Sequence, residues 1–120
     1  MARYRGLTLR VLGRSAAVMG PGKAELIERI AQTGSISAAA RAMDMSYRRA
    51  WQLVEALNAA FTDRVIATAT GGRRGGGARV TTFGRRLVAR FRAMESRASA
   101  AIAADLRRFA GHLKGRRRHG

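Results

Sequence analysis

The segment that most constrains the fold is residues 34–54, GSISAAARAMDMSYRRAWQLV, because it contains two short helical patterns separated by a turn. In the first pattern the apolar side chains follow one helical face, at i, i+3, i+4 and i+7: Ile36, Ala39, Ala40 and Met43. Ser35 or Ser37 is expected to cap this helix through its hydroxyl. Asp44 lies at the turn, where Asp tolerates a left-handed backbone better than most residues. The segment therefore predicts two helices that cross at small residues.

The second predicted helix, over residues 46–61, has an apolar face and a polar face. Its apolar face contains Ala50, Leu53, Val54 and Leu57. The candidate DNA-binding residues are the two helix caps and the polar face with its edges: Ser35, Ser46, Tyr47, Arg48, Arg49, Trp51 and Gln52. A helix-turn-helix needs small residues where its helices cross and hydrogen-bond donors where the second helix meets the major groove. An ordinary amphipathic helical hairpin has the same apolar pattern, so this segment alone leaves both interpretations open.

The charge of the chain favours a polyanionic partner. The formal net charge is +17 on 120 residues, and residues 83–120 hold eleven basic and two acidic residues. Basic groups near phosphates release condensed counterions, so such a chain is expected to bind nucleic acid. Most of the cations are Arg, which suits bidentate contacts, although a GC-rich genome also favours Arg codons. An anionic membrane is the other polyanion, but no segment has the Lys-flanked apolar face of an interfacial helix.

The same composition argues against several other classes of protein. The chain has no cysteine, which excludes disulfides, thiolate metal sites and cysteine nucleophiles. Its histidines, His112 and His119, lie in or beside the basic tail, and its seven carboxylates are scattered. Glu25 and Glu28 are expected to be solvent-facing ion-pair partners on the first helix. No enzyme activity, metal or cofactor is predicted. No apolar run approaches the roughly 20 residues of a membrane span, and we expect a cytoplasmic, nucleoid-associated protein.

The order of the predicted elements is strand, three helices, hairpin and helix. The ranges are a strand through Leu7, Leu9 and Val11, a loop over 13–22, a helix over 23–33, the two motif helices, hairpin strands over 65–70 and 78–81, and a helix from Thr82 to about Ala110. This is the order of a winged helix-turn-helix in a mainly α fold. The predicted parts are a DNA-binding domain over 1–82, a dimerisation helix over 83–113 and a disordered basic tail over 114–120.

The predicted hairpin has a glycine-rich basic tip, GGRRGGG, within a wing over residues 70–78. The tip lacks the Gly-Lys-Ser/Thr ending of a nucleotide-binding loop and precedes a strand. We interpret it as a wing that presents Arg73 and Arg74 to the DNA backbone or minor groove, with Arg79 on the returning strand beside them. The alternative is a disordered hairpin tip without a role in binding.

The last predicted helix has an apolar seam that suits pairing with another helix. The candidate dimer-interface residues are Leu87, Phe91, Met94, Ala98, Ile102, Leu106 and Phe109. From Ile102 onward the stripe is shifted by one position, as a straight helix would drift. A continuous helix of this length, roughly 40 Å, exceeds the width of so small a domain, so we predict a homodimer. The alternative is a helix that folds back over its own domain.

Two strings, GSISAAARAMDMSYRRAW and ATGGRRGGGARVTTFGRRL, resemble the N-terminal domain of ModE-type molybdate-responsive transcriptional regulators, relatives of the LysR-type DNA-binding domain. The resemblance spans roughly Leu7 to Arg97. It implies a winged-helix dimer that binds a palindromic operator through the helix beginning at Ser46, with backbone contacts from the wing. Full-length members carry C-terminal oxyanion-binding modules, for which a chain ending at Gly120 has no room, so a stand-alone domain without molybdate sensing is expected.

The sequence thus predicts a homodimeric, sequence-specific transcriptional regulator whose partner is double-stranded DNA. Its signal could come from a separate effector-sensing protein. Two other classes stay open: an architectural, nucleoid-type protein that binds DNA without sequence selectivity, and a basic protein associated with RNA or ribosomes. The ratio of specific to non-specific affinity separates the first of these from a regulator.

Overall fold

The computed structural model describes residues 6–69 and 77–115, which form five helices and two small antiparallel hairpins. The helices are α1 (Pro21–Thr33), α2 (Ile36–Ala42), α3 (Tyr47–Ala60), α4 (Thr82–Ala101) and α5 (Ala103–Ala110). The strands are β1 (Val11–Leu12), β2 (Ala17–Met19), β3 (Ile66–Ala69) and β4 (Gly77–Val80). The predicted mainly α, winged helix-turn-helix fold is confirmed, because α2 and α3 are followed by a hairpin in the position of a wing.

The core forms where α1, α2 and α3 meet the base of the β3–β4 hairpin. Its fully buried large side chains are Leu26, Ile27, Ile30, Val54, Leu57, Val65 and Ile66. Small residues lie where the helices cross: Ala39 and Ala50 are both 0% exposed. A larger side chain at either position would push the two motif helices apart, since interiors are close-packed. The alanine-rich sequence therefore gives a compact three-helix core.

The region before α1 differs from the prediction. Residues 13–22 were predicted as a loop, yet Ala17–Met19 forms β2, which pairs antiparallel with β1. Gly13 closes the turn by donating its N–H to the Ala16 carbonyl at 2.8 Å, and Met19 enters the core at 3% exposure. The strand was missed because Gly13 and Gly20 lie on either side of a run of only four apolar residues, 16–19. α1 also begins earlier than predicted, at Pro21. Proline suits the first position of a helix, because the N–H that it lacks would have no partner within the helix there.

Asn58, in the last turn of α3, joins this helix to β3. Its Oδ1 accepts the N–H groups of Val65 at 2.8 Å and Ile66 at 3.0 Å, and its Nδ2 donates to the Ile66 carbonyl at 3.0 Å. Val65 and Ile66 are fully buried, so unpaired N–H groups there would be costly. One side chain thereby satisfies three backbone groups at the start of the wing.

Thr81 joins the end of the wing to the start of α4. Its Oγ1 donates to the Arg64 carbonyl at 2.6 Å and accepts the Gly84 N–H at 2.9 Å as the helix cap. The chain passes so close here that a Cβ on Gly84 would lie 2.4 Å from the Val65 carbonyl oxygen. Only glycine permits this approach, so the first turn of α4 packs directly on the base of β3.

Arg92 of α4 binds α1 through Glu28, whose carboxylate accepts two hydrogen bonds from Arg92, at 2.8 and 2.9 Å. Glu28 is thus an ion-pair partner with a partly exposed side chain, as predicted, and its partner comes from another helix. Arg92 also pairs with Glu95 at 2.8 Å. The hydrogen bonds that Arg92 donates to Glu28 are the main cause of its raised pKa. Glu25 does pair within α1, with Arg29 at 3.3 Å.

The prediction of a single helix from Thr82 to about Ala110 is wrong in one respect, because the helix is interrupted at Ile102. That residue leaves the helical region, at φ −111° and ψ 15°, and it ends α4 and precedes α5. The break falls where the apolar stripe shifts by one position, a shift that the prediction attributed to the drift of a straight helix. A spacing pattern cannot distinguish gradual drift from a one-residue interruption, and a β-branched Ile favours helix less than its Ala neighbours.

We expect Asn58→Ala to lower the free energy of unfolding by about 2–4 kcal/mol, because two buried N–H groups and one carbonyl lose their partner. Urea denaturation followed by circular dichroism measures the change. Gln52→Ala is the matched control, since it removes an exposed amide from the same helix and should change stability by no more than about 0.5 kcal/mol. Equal stability of the two variants would contradict the role assigned to Asn58.

Candidate nucleic-acid interface

Two serine caps and a left-handed turn set the geometry of the helix-turn-helix. The Ser35 Oγ accepts the Ala38 N–H at 3.0 Å, and the Ser46 Oγ accepts the Arg49 N–H at 3.0 Å. Asp44, between the two helices, has φ 62°. All three features agree with the sequence prediction, because each depends on residues within one turn of chain. They position the first turn of α3 at the protein surface.

The outward face of α3 is polar and exposed. Arg48, Arg49 and Gln52 are exposed, and they lie away from the buried face, which consists of Ala50, Val54 and Leu57. Arg48 and Gln52 are four positions apart, so their side chains lie side by side on one surface. Arg can donate two hydrogen bonds to guanine and Gln can form two with adenine, which makes this pair suited to base edges in a major groove.

Tyr47 and Trp51 form an aromatic pair on one flank of α3. The rings meet edge to face, with centroids 6.3 Å apart and planes at 83°. The Trp51 indole N–H donates to the Tyr47 hydroxyl, and the partly buried Trp51 ring packs against the core. Since an indole has one donor, this hydrogen bond occupies the Trp51 N–H. Tyr47 is the more exposed member of the pair, at 52%, and DNA contact by either residue stays a prediction.

The wing begins beside this flank. β3 and β4 pair in register from Ile66 opposite Val80 to Ala69 opposite Gly77, which agrees with the predicted hairpin to within one residue at the described ends. The Ala78 N–H also donates to the Gly34 carbonyl at 3.0 Å, so β4 is joined to the end of α1. Arg79 is exposed on β4. Arg73 and Arg74, the predicted wing contacts, lie outside the described residues.

The predicted dimer residues fall into two groups. Phe91 is 3% exposed in the core, and Leu87 packs against that core. Farther along, Met94 is 38% and Phe109 68% exposed, while Ala98, Ile102 and Leu106 are partly exposed. None of the residues of α5 is buried. The exposed apolar surface of the seam therefore lies beyond Phe91.

Sequence reasoning missed Asn58, whose hydrogen bonds connect α3 to the wing. An Asn near the end of an amphipathic helix has no distinctive spacing, because its partners come from the next element.

Within residues 6–69 and 77–115, no group of three His, Cys, Asp or Glu side chains could hold a metal ion. In the same part of the chain, no helix is long and apolar enough to cross a membrane.

Known proteins with similar sequences include regulators and molybdenum-related proteins. The chain is 44% identical over 86 residues to the molybdenum-pterin-binding protein MopB of Rhodobacter capsulatus, covering 72% of this chain and 32% of MopB. It is 40% identical over 70 residues to the molybdenum transport protein ModE of Azotobacter vinelandii, covering 58% of this chain and 26% of that protein. It is 38% identical over 68 residues to the DNA-binding transcriptional dual regulator ModE of Escherichia coli (strain K12), covering 57% of this chain and 26% of that protein.

The resemblance to ModE-type regulators is thus confirmed for the DNA-binding part, and the chain spans about a third or less of the length of these relatives. A family model of bacterial regulatory helix-turn-helix proteins matches residues 22–85, from the start of α1 to the first turn of α4. This match covers more than half of the chain and includes both motif helices and the wing. The chain belongs to the lysR family of bacterial regulatory helix-turn-helix proteins.

Proposed function

We propose that this chain is a sequence-specific transcriptional regulator that binds a palindromic operator as a homodimer, in the cytoplasm and in association with the nucleoid. The observation that carries the proposal is the exposed Arg48 and Gln52 pair on a helix whose opposite face is buried. Membership of a family of regulatory helix-turn-helix proteins supports a DNA-binding regulator and not an enzyme. The sequence selectivity, the operator symmetry and the dimer are the parts that we propose beyond that family assignment.

In this proposal α3 lies in the major groove and Arg48 and Gln52 contact base edges. The Ser46 cap brings the first turn of the helix to the surface, where the recognition helix of a helix-turn-helix makes its base contacts. Tyr47 lies beside them with an exposed ring, which can pack against a thymine methyl group. The wing, including Arg73, Arg74 and Arg79, contacts the sugar-phosphate backbone or the minor groove.

The dimer is proposed through the exposed part of the C-terminal seam. Phe109 is 68% and Leu113 56% exposed, and such neighbouring apolar side chains typically mark an interaction surface. The molecule is 59 Å long and only 28 by 25 Å across, so the far end of the C-terminal region extends beyond the winged domain. Binding to a palindromic operator requires that two-fold pairing there holds the two copies of α3 about 34 Å apart, the spacing of successive major-groove faces.

The second candidate function is an architectural protein that binds any duplex. The net charge of +17 supports it, because backbone contacts alone give salt-dependent, sequence-independent binding. The exposed Arg48 and Gln52 pair is what favours a selective regulator. Competition between an operator, found by footprinting upstream of its own and neighbouring genes, and a scrambled duplex distinguishes the two: equal affinities would establish the architectural function.

We expect Arg48→Ala to weaken operator binding by about 1–3 kcal/mol and to relax selectivity at one base position, because it removes a bidentate base contact. The wing variant Arg73→Ala with Arg74→Ala should weaken binding to all duplexes about equally. It should reduce the salt slope, the slope of log affinity against log salt concentration, by roughly two at most. Fluorescence anisotropy against salt concentration measures both. Loss of operator preference in the wing variant, with wild-type behaviour of Arg48→Ala, would reverse the two assignments.

We expect Phe109→Asp with Leu113→Asp to give a folded monomer that has lost tight operator binding and keeps weak, salt-sensitive binding to any duplex. Both side chains are exposed, so the winged domain should keep its stability. Sedimentation velocity at micromolar concentration measures the assembly. Leu12→Asp is the control, because it removes an apolar side chain that is 73% exposed on the N-terminal hairpin and should stay dimeric. A monomeric wild type, or a dimeric double variant, would disprove this interface.

A further inference from the structure

A cleft with a volume of about 590 Å³ lies between the N-terminal hairpin, the start of α1 and one flank of α3. Three cationic side chains from these three elements line it: Arg10 just before β1, Lys23 in the first turn of α1, and Arg49 on α3. Gln52, on the outward face of α3, also lines the cleft. The cleft is therefore continuous with the surface proposed to contact bases.

The three cations of this cleft have no carboxylate partner within residues 6–69 and 77–115, where every ion pair lies elsewhere. The Lys23 Nζ donates to the Ala17 carbonyl at 2.9 Å, which leaves two of its three ammonium protons for a ligand. Partial burial, followed by the positive charges of Arg49 and Arg10, lowers the pKa of Lys23. Like charges brought together without counter-charge are stabilised by an anion that enters between them.

The position of the cleft indicates which anion this is. Arg49 and Asn58 are nine positions apart on α3, about two and a half helical turns, so they project from opposite sides of the helix. Asn58 lies on the side bound to β3, hence on the side of the wing. A helix inserted in a major groove has one phosphate strand along each flank. The wing lies near one strand, and the cleft lies on the flank that would face the other.

We propose that Arg10, Lys23 and Arg49 form a second binding site for the DNA backbone, on the flank of α3 opposite the wing. The N-terminal hairpin and the start of α1 then contact one phosphate strand while the wing contacts the other. This arrangement would set the depth and rotation of α3 in the groove through phosphate contacts, which position a protein without carrying sequence information. The proposal rests on the proposed DNA-binding function and adds elements outside the helix-turn-helix and wing.

The test uses two variants, the double variant Arg10→Gln with Lys23→Gln and the single variant Arg10→Gln. Both are compared with the wild-type protein in binding to operator and scrambled duplexes. Each lost phosphate contact reduces the slope of log affinity against log salt by about 0.9, so the double variant should lose up to about two and bind about tenfold more weakly at 0.1 M salt. The ratio of operator to scrambled affinity should stay unchanged. Arg10 is exposed, so its single variant keeps the test valid if Lys23→Gln destabilises the hairpin.

The matched control is Arg107→Gln with Arg108→Gln, which removes the same charge from α5, an element that does not line the cleft. A cleft variant whose salt slope equals that of this control or of the wild type would overturn the proposal. Absence of any operator preference in the wild type would instead refute the proposed regulator, while the slope on scrambled duplexes would still test the cleft. The two failures are therefore distinguishable.

Duplexes with single uncharged methylphosphonates locate the contacted phosphates. At one phosphate position, we expect the methylphosphonate to weaken binding of the wild type and to have no further effect on the double cleft variant, which already lacks that contact. This position should lie across the major groove from the phosphate whose neutralisation has no further effect on an Arg79→Gln variant. Additive losses at every position would overturn the proposal. So would a small-anion site, recognised when inorganic phosphate raises the melting temperature of the wild type and not of the cleft variant while their salt slopes agree.

Discussion

The connection that the proposed interface depends on most is the hydrogen bonding of Asn58 to the start of β3. Through it, the last turn of α3 and the first residues of the wing form one unit, since three backbone groups at Val65 and Ile66 have this side chain as their partner. A recognition helix and a wing must keep a fixed separation to fit a groove and its backbone together. Here that separation is set by partly buried hydrogen bonds to the fully buried Val65 and Ile66, whose backbone groups would be costly to leave unpaired.

The wing is joined to the rest of the domain at both strands. β4 bonds to the end of α1 through Ala78 and Gly34, and Thr81 bonds to Arg64 while it caps α4. The close approach of Gly84 to Val65 lets α4 begin directly beneath the wing. Every element that would touch DNA is thus fixed to one small core, and phosphate contacts on either flank would act on a rigid body.

The first half of α4 belongs to this same core. Phe91 is buried in it, and Arg92 forms two hydrogen bonds with Glu28 of α1. Because Arg92 and Glu28 are each more than one third exposed, their pairing contributes orientation more than stability. It sets the direction in which the C-terminal region leaves the domain. A dimer formed beyond Phe91 would therefore have a defined geometry relative to α3, which binding to two half-sites requires.

The sequence by itself determined the features that depend on neighbouring residues. Ser35, Ser46 and Asp44 act within one helical turn, and the alternation of the hairpin strands and the spacing of Ala50, Val54 and Leu57 are local periodicities. These were enough to predict the helix-turn-helix, the wing and the outward Arg48 and Gln52. The tertiary structure alone decided the pairing of Glu28 with Arg92, the partners of Asn58 and the break at Ile102. It also brought Arg10, Lys23 and Arg49 together from three elements. Such contacts join residues far apart in the chain, and their distances follow from packing, which no sequence spacing records.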